Sequence, residues 1–339
     1  MSGQKRFAKL SKKKLFLYSG VIFIFLIGIG AGYAFYLVDK SAGTVANSHE
    51  EIGRDNETSP LREGHVDPVE DNVSVLFIGV DSSEHRENEE TGRSDALLLA
   101  TFNKDDSAVK LLSIPRDSYV YIPEVNYQTK INHAHAFGGP EATIETVENF
   151  LQVPVDYFVR INFEGFVEVV DALDGVNFDV PYEFTESDSN DDKDSIHLYP
   201  GDQKLNGEEA LAMARTRKQD SDVARGKRQQ EMIAAIASKA TSPSSVFKLD
   251  ELIQAVGSNM ATNLNFSEIR SFLSYGLDED VNIETVNLDG EGGYMNDGGW
   301  YYQVDENSRA QMQTELREHL DLPSVDDDSD FAKDEEEFY

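Results

Sequence analysis

Apolar positions fall in three kinds of pattern along this chain, and each predicts a different element. At the amino end one run is uncharged and apolar on every face from Leu15 to Val38. Three shorter runs follow, at residues 73–80, 96–102 and 109–114, each adjoining a carboxylate or an Asp/Arg pair. Apolar runs of that length read as buried strands whose ends open into loops. Beyond them the period lengthens. After a break at Gly138-Gly139, Pro140 suits the first turn of a helix with Ile144, Val147, Phe150 and Leu151 on one face. Residues 155–161 predict a strand, 163–173 a helix with Phe166, Val167, Val170 and Leu173 inward, and 176–180 a short strand. Helices are then expected from Gly207 to Arg217 (Ala210, Leu211, Met213) and from near Asp222 through Met232, Ile233 and Ile236. A helix at 266–275, a strand at 281–286, a Gly-rich turn at 290–299 and a helix at 308–320 complete the pattern. Strands interleaved with helices indicate a layered α/β domain.

The amino-terminal run changes the picture of where that domain sits. As helix, the 24 residues 15–38 extend about 36 Å, enough for a hydrocarbon core of roughly 30 Å. Basic residues crowd its amino side only (Lys5, Arg6, Lys9, Lys12, Lys13, Lys14), which predicts a cytoplasmic tail, 1–14, and an extracytoplasmic remainder. The run is too long for a signal-peptide core and Phe35-Tyr-Leu-Val-Asp39 offers no small-x-small cleavage site, so a retained transmembrane anchor is expected. Residues 39–71 are polar without an apolar period and read as a flexible stalk, with a reach of roughly 30 Å. The folded domain is expected over 72–322, and the Asp/Glu-rich end, 323–339, as a disordered tail. Residues 183–195 predict an acidic, solvated loop; no glycine stands in EF-hand register there for calcium.

Charge then excludes some partners. The net charge is −33, yet residues 1–40 hold seven basic groups and one acid, leaving 23 basic against 62 acidic residues beyond. Nucleic acid is not an expected partner of so acidic a surface. Without cysteine the chain has neither disulfides, thiolate metal sites nor a cysteine nucleophile. Ser94 and Ser113 have no evident base beside them, and His133 and His135, lacking a third ligand, read as polar positions near a turn.

Candidate chemistry gathers at the strand ends. Phe77-Ile-Gly-Val-Asp81, Gly92-Arg-Ser-Asp95 and Ser113-Ile-Pro-Arg116-Asp117 place acids and arginines where sheets open onto crevices that bind ligands. Asp81 and Asp95 are the metal candidates, since magnesium takes one or two carboxylates plus water and phosphate oxygens. Taken singly, either reads as a turn or capping residue rather than a metal ligand. Arg93, Arg116 and Lys130 are anion ligands or structural ion-pair partners; Arg116 and Asp117 could pair locally, and Asp222 could cap a helix. A second signal, residues 215–228, carries six basic groups and two acids, and from a helix start at Asp222 it sets Arg225, Arg228 and Gln229 on one face. Arginine forks bind phosphate oxygens in pairs; on charge pattern alone, a phosphate site and an exposed basic face stand even.

In these stretches the chain resembles the LytR-CpsA-Psr family of bacterial cell-wall assembly enzymes. The resemblance continues through Lys130-Ile-Asn132, Asp156-Tyr-Phe-Val159, Asn162-Phe-Glu-Gly-Phe166, Leu205-Asn-Gly207, Arg215-Thr-Arg217 and Arg225 to Gln229, in order over residues 72–240. It implies a central mixed β-sheet flanked by helices behind one membrane anchor. It further implies a phosphotransferase in the cell membrane that moves a glycopolymer (wall teichoic acid, capsule or a similar polysaccharide) from a polyprenyl-pyrophosphate carrier to peptidoglycan. By motif, Asp81 and Asp95 would hold magnesium, or manganese in its place. Arg93, Arg116, Arg215, Arg217, Arg225 and Arg228 would clamp pyrophosphate, with Lys130 and Gln229 beside them. Asp117 or Asp222 would take the acceptor's proton. Phe163, Phe166 and Val170 could line a prenyl tunnel, although amphipathic spacing favours plain core. Two rivals keep the same residues: a phosphatase with water as acceptor, and a non-enzymatic lipid-binding or regulatory module.

Overall fold

The computed structural model describes residues 48–54, 58–80, 92–190, 192–216, 222–240, 259–265, 267–269, 271–272 and 282–325. The predicted anchor at 15–38, the basic tail and most of the acidic tail lie outside these residues, and so do Asp81, Arg217 and the side chain of Asp222. Among the described residues no helix is long and apolar enough to cross a membrane.

The three apolar runs form the middle of a six-stranded mixed sheet. They are β1 (Val73–Val80), β2 (Ser94–Asn103) and β3 (Ala108–Ser113). The hairpin β4 (Tyr119–Ile122) and β5 (Tyr127–Lys130) follows, then helix α1 (His133–Leu151), β6 (Tyr157–Asn162) and α2 (Phe163–Ala172). Next come β7 (Val176–Val180), β8 (Phe184–Glu186), β9 (Ile196–Leu198), β10 (Gly201–Leu205), α3 (Gly207–Arg215) and α4 (Asp222–Ala240). The chain closes with β11 (Met260–Thr262), β12 (Asn282–Asn287), β13 (Gly290–Tyr294), β14 (Trp300–Val304) and α5 (Glu306–His319). The sheet order is β11-β6-β1-β2-β3-β12, with β1–β6 and β3–β12 parallel and the other pairs antiparallel.

Both faces of the sheet are covered, which is why β1 reads apolar without alternation. On one face Leu76, Ile78, Leu97, Leu99 and Leu112 pack with Ile144, Val147 and Leu151 of α1 and Met312 and Leu316 of α5. On the other, Leu98, Ala100, Val109 and Leu111 meet Ile233 and Ala234 of α4. A satellite core joins Val170, Val176, Phe178, Leu205 and Met213, with Phe166 partly buried against it. Gly138 and Gly139 break α1 as expected, Gly139 at φ +63°, so Pro140 opens the second segment, whose N–H vacancy costs nothing there.

Several expectations are corrected. The loop expected at 183–195 is bounded by a ribbon, β8 paired with β9, because Phe184 and Leu198 are buried in the satellite core. The Gly-rich turn at 290–299 is mostly a hairpin, β13 with β14, held by the aromatic strand Trp300–Val304. His135, read as a polar position near a turn, lies inside α1 and is 3% exposed. Residues 48–54 and 58–71 are not a free stalk. Arg54 pairs with buried Glu148 at 2.5 Å, Ser59 donates to the same carboxylate at 2.7 Å, and Arg62 grips Asp156 through Nε at 2.9 Å and Nη2 at 2.6 Å. These arginines have their acidic partners some ninety residues away, so no local period announces them.

Buried histidines set the acid side of stability. His319 Nδ1 lies 2.8 Å from Thr101 Oγ1, and burial holds its pKa below the ordinary 6.5; the nearby Lys110 charge pushes the same way, against Asp106, Glu284 and Glu315. Burial lowers His133 and His135 likewise. A lowered base takes its proton in the unfolded state first, so stability falls as pH drops below about 6.5, by up to about 1.4 kcal/mol per pH unit per histidine. Burial raises the pKa of Glu148, a change of opposite sign as that carboxyl protonates at lower pH. Urea unfolding at pH 7.5 and 5.5 is expected to show the loss, and His319→Gln to flatten it.

Candidate active site

Strand registers bring the motif segments to one edge of the sheet. Val80 pairs with Ser94 and with Asn162, Leu98 with Ser113, and Ser113 with Asn287, so the ends of β1, β6, β3 and β12 and the start of β2 coincide. Gly79 pairs with Ala96 but Val80 with Ser94, leaving Asp95 as the extra residue of a bulge. Bulges re-aim side chains, and this one sits where Asp95 meets Arg116: the Arg116 Nη1 donates to Asp95 Oδ1.

Arg116 and Asp117 stand on a turn after β3 that is tied from three directions. Ser118 N and Oγ both donate to the Pro115 carbonyl, at 2.9 and 2.7 Å. Ile131 N donates to Ser118 O at 2.8 Å and Asn132 N to Arg116 O at 3.2 Å, while Tyr302 N of β14 donates to Asp117 O at 2.8 Å. The backbone of Lys130-Ile-Asn132 therefore splints the turn, and its side chain Lys130 Nζ reaches Asp117 Oδ1 at 2.8 Å. Arg116 Nε is 3.6 Å from Asp117 Oδ2, so Arg116 links Asp95 to Asp117. Lys130 also lies 5.5 Å from the Tyr301 ring centre. Pairing with Lys130 and Arg116 holds the buried Asp117 at this edge of the sheet.

Helix α4 crosses this edge at close range. A Cβ on Gly226 would come 2.8 Å from Ser113 Oγ, so glycine lets the helix approach and carry its flanking arginines in. One cleft is lined by Asp95, Ser113, Arg116, Arg225, Gly226 and Gln229. Arg225 is 6% exposed. Gln230, on the next position, is fully buried and donates to Leu111 O at 3.1 Å and Val286 O at 2.8 Å, fixing the helix against β3 and β12.

The predicted residues thus divide. Asp95, Arg116, Asp117, Lys130, Arg225 and Gln229 come together. Arg93 is exposed beside them, near enough for its charge to lower the His133 pKa. Arg228 turns to the end of α3, where Nη2 donates to Thr216 O at 2.6 Å. Arg215 stacks on Phe163, 4.7 Å from the ring centre, and Nη1 donates to Asp188 O at 3.3 Å, outside the cleft lining. Phe163 is thus a platform for arginine, and Val170 is core. Asp222 opens α4, but its side chain, like Asp81 and Arg217, is outside the described residues. Sequence reasoning gave His133 and His135 no role beyond polar positions near a turn; His133 Nδ1 is 3.0 Å from Thr129 Oγ1, and His135 Nδ1 donates to Gly92 O at 2.6 Å and anchors the Gly92–Asp95 segment. Sequence reasoning also missed Tyr302. The only sequence signal for the histidines was their nearness to Lys130-Ile-Asn132.

Comparison with known proteins adds to the geometry. Polyisoprenyl-teichoic acid–peptidoglycan teichoic acid transferase TagU of Bacillus licheniformis is 38% identical over 320 residues, 93% of this chain and 99% of that protein. The crystal structure of B. subtilis TagT superposes with a TM-score of 0.66 at 35% identity, covering 80% of this chain and 100% of that one. TagT with bound octaprenyl pyrophosphate lipid gives 0.64 at 34%, covering 81% and 100%. With residues 35–318 matching the LytR_cpsA_psr family, this chain belongs to that family.

Proposed function

We propose that the cleft binds the pyrophosphate of a polyprenyl-linked glycopolymer and transfers the phosphorylated polymer to peptidoglycan. The observation that carries this is the meeting of Asp95, Arg116, Arg225 and Gln229, scattered over more than 130 positions, in one cleft of an otherwise acidic protein. Phe77 and Val159 of the sheet and Ile233 of α4 are apolar and only partly buried. A prenyl chain suits such residues, and octaprenyl pyrophosphate lipid is the molecule bound to TagT.

Phosphoryl transfer asks for alignment and charge neutralisation more than covalent help. Arg116 and Arg225, both lining the cleft, offset the pyrophosphate charge, and Gln229 offers an amide N–H. An acceptor hydroxyl attacks the distal phosphorus; the new O–P bond forms as the bond from that phosphorus to the bridging oxygen breaks. Polyprenyl phosphate leaves with the bridging oxygen's electron pair, and the hydroxyl proton passes to a carboxylate, Asp117 or Asp222. Magnesium takes one or two carboxylates and completes its shell with water and phosphate oxygens. Asp95, with Asp81, would hold it; when bound it supplies further positive charge to the pyrophosphate. Residues 15–38 anchor the domain at the outer face of the cell membrane, within reach of a lipid-borne donor.

Short-chain prenyl pyrophosphate at one hundred times its Kd is expected to stabilise the protein by about 2.7 kcal/mol, seen as a thermal shift of roughly 5–11 °C. With lipid-linked donor, phosphate transfer should depend on peptidoglycan fragments; release indifferent to acceptor would make the protein a phosphatase. Polymer attachment in cells unchanged by Asp81→Ala and Arg116→Ala would leave only the regulatory reading.

A further inference from the structure

Strand β12 ends at the cleft on a residue that belongs to none of the motif stretches. Asn287 lines the cleft together with Asp95, Ser113, Arg116, Arg225 and Gln229. Strand register decides where its side chain points. Val286 and Leu288 both join the core on the α1 and α5 face of the sheet, so Asn287 between them is directed to the α4 face. Its pairing partner there is Ser113, the residue on which α4 closes at Gly226. Asn287 therefore stands one strand spacing, about 4.8 Å, from the point where α4 brings Arg225 and Gln229 to the sheet.

The backbone on either side of Asn287 is pinned. Gln230 Nε2 donates to Val286 O at 2.8 Å, and Tyr302 Oη donates to Leu288 O at 3.0 Å. The Asn287 side chain, by contrast, is exposed and makes no hydrogen bond with any described residue. Its neighbours in the cleft are engaged: Arg116 with Asp95 and Asp117, and Gln229 Nε2 with Ala214 O at 3.4 Å. An unengaged amide on a fixed backbone is a preorganised donor.

We infer that Asn287 is a further ligand of the donor pyrophosphate, its Nδ2 donating to a non-bridging phosphate oxygen; this rests on the function proposed above. The chemistry of the cleft selects that contact. Arg116 and Arg225 hold the anion here, so an amide on the same wall meets phosphate oxygens, which accept hydrogen bonds. A third cation at this position would repel Arg225 across a narrow space. The amide instead gives a directional hydrogen bond without adding charge. No proton moves through Asn287; it tightens donor binding and helps hold the phosphorus in line for attack.

Two variants of nearly the parent's shape make the test, both in the full chain in detergent. Asn287→Leu removes the donor, and Asn287→Asp puts an anion in its place. Calorimetry measures binding of prenyl pyrophosphate, which carries no sugar, and of the lipid-linked glycopolymer, beside a melting curve without ligand. The expected result is prenyl pyrophosphate affinity lowered about tenfold to hundredfold by Asn287→Leu, the usual effect of one hydrogen bond to a charged group. Asn287→Asp should lower it further, with the melting temperature unmoved in both. Equal prenyl pyrophosphate affinity in the parent and both variants overturns the contact. So does a loss confined to the lipid-linked glycopolymer, which would set Asn287 against the sugar, or a loss matched by a fall in melting temperature. A parent that does not bind prenyl pyrophosphate overturns the proposed function together with this contact.

Discussion

Arg116→Ala is expected to lower transfer by about 10²–10³-fold, the usual cost of one preorganised charge donor at a site of developing negative charge. Arg116 is the member of the cleft that touches both neighbouring carboxylates, Asp95 and Asp117. Its removal withdraws positive charge from the pyrophosphate and also leaves Asp95 without its cationic neighbour, facing the phosphate oxygens directly. Arg116→Lys should recover only part of the loss, because an ammonium cannot reach a phosphate oxygen pair as a fork does. The fold should survive. The Arg116 side chain is 21% exposed and its pairing is at the cleft rim, where ion pairs contribute about 0–1 kcal/mol. Single-turnover transfer with lipid-linked donor, alongside a melting curve, separates the two effects. An activity loss matched by a comparable collapse of stability would place Arg116 in the scaffold.

Arg62→Ala should produce the opposite profile, a large loss of stability with the cleft chemically intact. The Arg62 and Asp156 side chains are 7% and 2% exposed, and Asp156 also accepts from Ser74 N at 2.8 Å and Ser74 Oγ at 3.1 Å. The second arm of the fork, Arg62 Nη2, additionally holds Asn72 O at 2.9 Å, directly before β1. Removing one partner strands a buried charge, at a cost of about 3–5 kcal/mol, or a fall in melting temperature of roughly 6–20 °C for a domain of this size. Replacing both partners, Arg62→Met with Asp156→Leu, should cost less, because no charge is then left buried. A melting temperature unmoved by Arg62→Ala would mean that residues 58–71 are the loose tether that their polar composition suggests.

The central strands were legible because burial on both faces writes itself as an unbroken apolar run, and Val73–Val80 matches to the residue. Helix faces were legible for the same reason: Ile144, Val147 and Leu151, chosen by period, are fully buried. What escaped was carried by few residues or distant ones. The β4–β5 hairpin has four residues per strand, too few for a period, and its tyrosines serve the surface as much as the core. The bulge at Asp95 depends on the register of a partner strand, which no local pattern records.

Taken alone, the sequence determined the inventory: which runs must be buried, which segments carry acids and arginines, and which family those segments belong to. It does so because periodicity and residue chemistry are local properties. The tertiary structure decided the company each charge keeps. Arg116, Arg225 and Gln229 face one cleft, whereas Arg228 turns to Thr216 and Arg215 to Phe163, although all five looked alike as candidates. A guanidinium's partner is chosen by strand register, a helix crossing at Gly226 and the desolvation of whatever lies opposite, and these exist only once the chain has folded.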